Sequence, residues 1–262
     1  PDPGTTALNV GRASLLRHLD LHLESQFHSV YRPLGVVDEN GRWVRSLVEQ
    51  QQLALFGFAI GLFGRTQISL QTVALLHQSG NLPGRGLNGL QQNGIGDVRF
   101  NAKTRLWTAG TLTVALDLPL ILPTATDDAW LRESGIVFSP SLLLTRSIGP
   151  SKVTFRTGYE MRESIEVLGI QQGDRVLAGF VAEWTPTTFG KMVLSSGLMS
   201  YFQYGSFGTT SAVGAEWVGG TYYNFSRALR LGVATTAALT DSAALPGFQG
   251  LLEIQYRHAF GI

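Results

Sequence analysis

From His18 the chain alternates polar and apolar residues one by one, and only an extended strand sends neighbouring side chains to opposite faces. Leu19, Leu21 and Leu23 fall on one side; Asp20, His22, Glu24 and Gln26 fall on the other. The pattern returns at Asp97, where Asp97, Arg99, Asn101, Lys103 and Arg105 alternate with Val98, Phe100, Ala102, Thr104 and Leu106. On a helix those charges would scatter around the cylinder. On a strand they make one polar face and one apolar face.

Similar segments recur at spacings of about 15 to 25 residues, which predicts twelve strands with ends good to about 2 to 4 residues: 17–31, 48–62, 66–78, 94–107, 111–123, 136–147, 152–164, 174–185, 189–204, 211–224, 228–240 and 248–260. Many exceed the roughly 5 to 6 residues usual in soluble sheets, whereas crossing a bilayer at a tilt takes about 9 to 11. Short connections at 63–65, 108–110, 148–151, 185–188 and 225–227 alternate with long ones at 32–47, 79–93, 124–135, 165–173, 205–210 and 241–247. Transmembrane barrels show that asymmetry, with tight periplasmic turns and longer outer loops. Trp107, Trp184, Tyr223, Tyr256 and Phe260 fall near one set of strand ends, and Tyr31, Tyr159, Tyr204 and Phe248 near the other, as two aromatic girdles would.

Composition narrows the alternatives. Of 262 residues 44% are hydrophobic and 15% charged, with a net charge of +1 and no cysteine. Disorder is excluded by the apolar share, disulfides and thiolate metal sites by the absence of cysteine, and a nucleic-acid binder by the lack of cationic excess. The longest near-apolar run, Leu53 to Gly64, falls short of a membrane helix. The fold expected is an all-β, twelve-stranded antiparallel transmembrane barrel, with 1–16 a periplasmic N-terminal segment and 17–262 the barrel. A soluble barrel with its apolar face inward is the competing fold.

Gly94-Ile95-Gly96-Asp97-Val98-Arg99-Phe100-Asn101-Ala102-Lys103, with Leu116-Asp117-Leu118-Pro119-Leu120-Ile121-Leu122-Pro123-Thr124 and the closing segment 246–256, resembles the N-terminal barrels of myxobacterial OmpA-family proteins. Ala125 departs from the glycine usual there. The resemblance implies a Gram-negative outer membrane and a peptidoglycan-binding domain beyond Ile262, and the even strand count places both termini in the periplasm. One family member is the barrel partner in outer-membrane exchange between cells.

If the apolar face meets lipid, the lumen is lined by Asp20, His22, Glu24, Asp97, Arg99, Lys103, Arg105, Asp117, Arg156, Glu160, Arg162, Glu253 and Arg257. Balanced signs favour internal pairing over a selectivity ring. Arg32, Arg42, Arg45, Arg85 and Arg132 in the loops suit lipopolysaccharide phosphates or a protein partner. His77 and Ser79 resemble the His-x-Ser pair of an outer-membrane phospholipase, with Asn88 or Asn93 as orienter, but strand parity turns both toward the lumen, away from lipid. No cofactor, metal or nucleic acid is expected. The leading expectation is a non-enzymatic anchor or interaction scaffold; a narrow passive pore and a phospholipase-like hydrolase are the alternatives.

Overall fold

The computed structural model describes residues 13, 15–37, 43–80, 93–125, 133–163, 165–167, 170–186, 191–203, 213–226, 228–240 and 247–259. Twelve long strands form its wall: β1 Leu21–Val37, β2 Trp43–Leu62, β3 Thr66–Gly80, β4 Val98–Ala109, β5 Leu112–Leu122, β6 Ser141–Ile148, β7 Ser151–Glu160, β8 Arg175–Trp184, β9 Met192–Gln203, β10 Val213–Asn224, β11 Leu229–Ala238 and β12 Phe248–His258. Each pairs antiparallel with the next, and β12 pairs with β1 from Leu21↔His258 to Tyr31↔Phe248, so the ring closes. The pairs Gly94–Ile95 and Val137–Phe138 extend the wall beside β3 and β5. A small hairpin, Ile165–Val167 with Ile170–Gln172, rises from the β7–β8 connection.

Register sets the shape. Carried around all twelve interfaces, the pairings displace the closing strand by about 14 residues, which with usual strand spacing gives a tilt of roughly 40° and a wall radius of about 12 Å. At that tilt a ten-residue strand such as β8 rises about 25 Å, the height of a barrel's apolar band.

The turns follow backbone sterics. At the β2–β3 turn Phe63 and Gly64 both take positive φ, 52° and 64°, and Arg65 N–H closes the turn on Leu62 carbonyl at 3.2 Å. Glycine takes that conformation without a Cβ clash, and the primed turn matches the strand twist. Gly110 and Gly149 hold the same φ sign in the β4–β5 and β6–β7 turns.

The apolar side chains face out. Leu23, Phe27 and Tyr31 of β1 are exposed while Gln26, His28 and Val30 between them are buried; Phe155 and Phe180 stand exposed on β7 and β8, 6.2 Å apart. Trp107, Trp184, Tyr223 and Tyr256 are exposed toward the short-turn end, Tyr31, Tyr159 and Phe248 toward the long-loop end. Tyr204 and Phe260 lie outside the described residues. An apolar exterior around a largely polar interior inverts a soluble barrel and requires lipid as the outer solvent.

Two expectations are corrected and one boundary is refined. The stretch 32–47 is mostly strand, because β1 continues to Val37 and β2 starts at Trp43 through repeated register shifts. The first strand starts at Leu21, within the margin allowed for its start, and the chain before it, a strap, is bonded to Gly61, Gln67 and Thr145 with Ala13 buried inside the wall. The inner face also carries apolar patches, Val30, Leu53, Val73 and Leu75 on β1–β3 and Leu177, Val181, Met199 and Val218 on β8–β10.

Phe180→Arg places a cation on the mid-strand outer face, so folding into vesicles should lose about 2–4 kcal/mol, by urea titration. An unchanged midpoint would deny that this face meets lipid.

Candidate functional site: the lumen

The inner faces of β1, β4 to β7 and β12 carry most of the charges foreseen from alternation. On β1 the side chains of His22, Glu24, Gln26 and His28 form a polar ladder at every second residue. Gln26 amide donates to Glu24 and, at 3.0 Å, to Glu253 of β12; Gln255 amide donates to Glu253 at 2.7 Å. His28 Nε2 and Gln26 Oε1 lie 2.8 Å apart, and His28 Nδ1 meets Gln249 amide. Cross-strand amides thus hold two carboxylates against one wall. Gln26, His28 and Glu253 are all but fully buried.

A second set of pairs lies across the ring. Asn101 amide donates to Asp117 at 2.9 Å, and the Arg156 guanidinium stands 3.6 Å from the same carboxylate and donates to Ser141 hydroxyl at 3.1 Å. Glu160, 1% exposed, accepts from Arg162 and Arg175, each at 2.5 Å. Arg162 also reaches Glu133 at 3.6 Å. These pairs join the top of β7 to β8 and to the loop before β6.

Several of the predicted lumen residues also tie loops and turns to the wall. Asp97 accepts Ala125 N–H at 2.8 Å and Glu133 N–H at 2.6 Å, so it ties both ends of the β5–β6 loop to the start of β4. Arg105 caps the β2–β3 turn by donating to Gly64 carbonyl at 2.6 Å. Asp20 pairs with Arg257 where the chain enters β1. Of the loop cations, Arg32 lies over its neighbour Tyr31 at 5.3 Å; Arg42, Arg85, Arg132 and the Arg45 side chain lie outside the described residues.

Among the described residues, two adjoining cavities lie in the interior. One of about 170 Å³, at mid-height, is lined by Glu24, Asp117 and Glu160 against Arg99, Lys103 and Arg156, a balanced set. The other, about 520 Å³, opens toward the short-turn end and is lined by Lys103, Lys152, Arg230 and Arg257 with Glu183 the one carboxylate. His22, Gln67 and Lys103 border both. Lys152 and Arg230 were missed by sequence reasoning although parity carries them: Lys152 sits two and four residues before Thr154 and Arg156, and Arg230 two before Gly232. Arg230 stacks on Tyr222 with its guanidinium 3.6 Å from the ring centre. Arg175, the second cation on Glu160, was missed because it follows an apparent loop.

The placement of His77 and Ser79 overturns the expected parity. Gln52 pairs with His77 but Leu53 with Leu75, so Leu76 is an extra residue in β3. Beyond that bulge Gln78 turns in, accepting from Gln51 amide at 3.0 Å, and His77 and Ser79 turn out. Imidazole and hydroxyl share no hydrogen bond among the described residues; Asn93 is exposed in the approach to β4, and Asn88 lies outside them.

At the long-loop rim, Asp174 accepts from the Tyr159 hydroxyl at 2.7 Å and from Arg162 N–H at 3.0 Å. Those two donors, the tyrosine first, hold its carboxyl below the usual range.

No family model matches the chain, and no curated protein matches it. Solved structures do. The COG4313 outer membrane channel from Pseudomonas putida F1 is 14% identical, with a TM-score of 0.70 over 93% of this chain and 97% of that one. The NanC porin is 8% identical (TM-score 0.59, 92% of this chain and 100% of that one), and the KdgM porin 8% identical (0.56, 90% and 99%). At such identities the likeness shows a fold, that of a porin-like outer-membrane barrel. It corrects the anchor-and-scaffold expectation, since the barrels that share this shape end to end are described as a channel and porins, none as an OmpA-family protein.

Two outcomes check the rim. Glu160→Ala removes the buried carboxylate that Arg162 and Arg175 share and should cost about 1–3 kcal/mol of barrel stability by thermal unfolding in detergent. Because the Asp174 pKa is lowered by folding, its hold on the β7–β8 connection is complete above the ordinary carboxylate range and lost as pH falls through the lowered value. Amide exchange at Arg162 should accelerate only at acid pH, and Asp174→Asn should remove that pH dependence.

Proposed function

We propose that this chain forms a narrow passive channel for small polar solutes in the outer membrane of a Gram-negative bacterium. One observation carries the reading: two cavities that share His22, Gln67 and Lys103 follow one another inside a closed wall whose exterior is apolar. Twelve strands enclose more room than the eight that side chains nearly fill and less than the sixteen of a general porin. Paired charges such as Asp117 with Arg156 narrow that room, so the channel admits small solutes rather than oligomers. The porin-like fold supports the reading, and the motif resemblance to myxobacterial OmpA-family barrels adds a Gram-negative envelope. On this reading the short turns and both termini face the periplasm.

The reading is non-catalytic. The bulge at Leu76 gives His77 and Ser79 the lipid-facing side that a lipid hydrolase needs, but no hydrogen bond joins imidazole to hydroxyl among the described residues.

Purified protein in planar bilayers should give small, stable, voltage-insensitive conductance steps, and vesicles containing it should swell in monosaccharides but not in larger oligosaccharides. Silent bilayers and non-swelling vesicles would reject the channel. Release of fatty acid from phospholipid, abolished by Ser79→Ala, would reject the non-catalytic reading.

A further inference from the structure

Near the long-loop end, two irregularities in the ladder place polar side chains on the face that meets lipid. Arg32 takes a φ of 53°, and pairing jumps from Tyr31↔Gln50 to Leu34↔Val48. In β3 the extra residue Leu76 turns His77 and Ser79 outward. A bulge re-aims the side chains that follow it. The outer face of four neighbouring strands, β12, β1, β2 and β3, therefore carries two rows in register. The first is Gly250, Ser29, Gln52 and His77; the second is Phe248, Tyr31, Gln50 and Ser79.

The second row holds the aromatic girdle, so the first lies about 5 Å deeper on the membrane side of it. Below Tyr159, on another part of the ring, the matching row is Leu142, Thr157, Ala178 and Ser200, with no polar group larger than a hydroxyl. Amides and an imidazole at this depth are peculiar to β2 and β3 among the rows compared. No hydrogen bond or ion pair engages the side chains of Ser29, Gln50, Gln52, His77 or Ser79 among the described residues. Arg32 lies over Tyr31 at 5.3 Å, and Glu49, exposed in the same register gap, makes no ion pair with it.

What covers this face is lipid, because the wall around it is apolar and exposed. Polar side chains left unpaired against hydrocarbon are costly, so their partners must come from the lipid itself. The donor set says which lipid. A guanidinium at the rim suits a phosphate. Glutamine side chains offer a donor and an acceptor together, which match amide-linked acyl chains and their hydroxyls; the ester carbonyls of a phospholipid accept and do not donate. Beside them a Cβ on Gly250 would meet nothing within 4 Å, which leaves a notch between Phe248 and Leu252 where an acyl chain can lie against the backbone.

We propose that this face binds a phosphorylated glycolipid of the outer leaflet, with Arg32 on a phosphate, Gln50, Gln52, His77 and Ser79 on its amides and hydroxyls, and an acyl chain in the Gly250 notch. The proposal rests on the outward orientation of the long loops given above and is independent of conduction.

Native mass spectrometry of the purified barrel in detergent tests it, with bisphosphorylated lipid A, dephosphorylated lipid A and phosphatidylglycerol as probes. The unaltered protein should retain the phosphorylated lipid A at least tenfold better than phosphatidylglycerol. Gln52→Leu combined with His77→Leu should lower that retention at least tenfold, and Arg32→Ala should remove the advantage of the phosphorylated form over the dephosphorylated one. Gly250→Leu, for whose Cβ the wall has room, should fold and weaken retention severalfold, which keeps the test alive where another variant fails to run as a heat-modifiable barrel. Equal retention of phosphatidylglycerol would overturn the glycolipid, and retention unchanged in the folded variants would overturn the site. Orientation is read separately, in a chain that has no other cysteine, by labelling Gly80→Cys on intact cells. Labelling would support the outer-leaflet assignment and protection would overturn it, whereas silent bilayers would reject the channel and leave this site standing.

Discussion

Inside a bilayer no water is available to a peptide N–H or carbonyl, so a strand wall in lipid must satisfy every one of them within itself. The pairing of β12 with β1 is therefore the contact on which the rest depends. An open twelve-stranded sheet would leave two edges bare in hydrocarbon, at several kcal/mol for each unsatisfied group. Closure also fixes the shear, the shear fixes the tilt and radius, and the radius fixes how much room the inward side chains must share. The lumen is thus a consequence of the seam before any particular residue is considered.

Given that room, the charges sort by what surrounds them. At mid-height the wall is crowded and Asp117, Asn101, Arg156 and Ser141 form a connected set; a bare charge there would face a desolvation cost that only a partner offsets. The same need explains why Glu160 takes two arginines and why Gln26 bridges two carboxylates. Toward the short turns the cavity widens, and its cations are held one by one: Arg257 pairs with Asp20, Arg230 lies over Tyr222, and Lys152 stands opposite Glu183. Lys152 is exposed there.

The class of fold was legible because alternation is a local property: each residue's side of the wall follows from its neighbour's, and twelve such segments compel a barrel. Sidedness was legible too, since Leu23, Phe27 and Phe155 could be assigned to lipid once strand length and turn spacing had spoken. What escaped was whatever breaks the count. One extra residue, Leu76, inverted His77 and Ser79, and nothing in Val73-Ala74-Leu75-Leu76 distinguishes a bulge from a plain apolar run. Asp97 looked like a lumen residue by phase, yet its carboxylate holds two loop amides that only the folded chain brings near. The approach to β1 escaped for the same reason: Leu15 and Leu16 carry no periodicity, and the two anchoring hydrogen bonds, from Leu16 to Gln67 and from Ala13 to Thr145, span 51 and 132 residues.

Strap and wall also differ in what holds them. Each wall strand is bonded along its length to two neighbours, and separating one exposes a continuous row of amides to lipid. The strap is held at separate points by Gly61, Gln67 and Thr145, with one small alanine packed at its far end. It lies against a lumen that water enters, so a released strap amide finds a new partner at little cost, the net value of such a bond being about 1 kcal/mol. Displacing the strap is therefore a small energetic event and opening the wall a very large one.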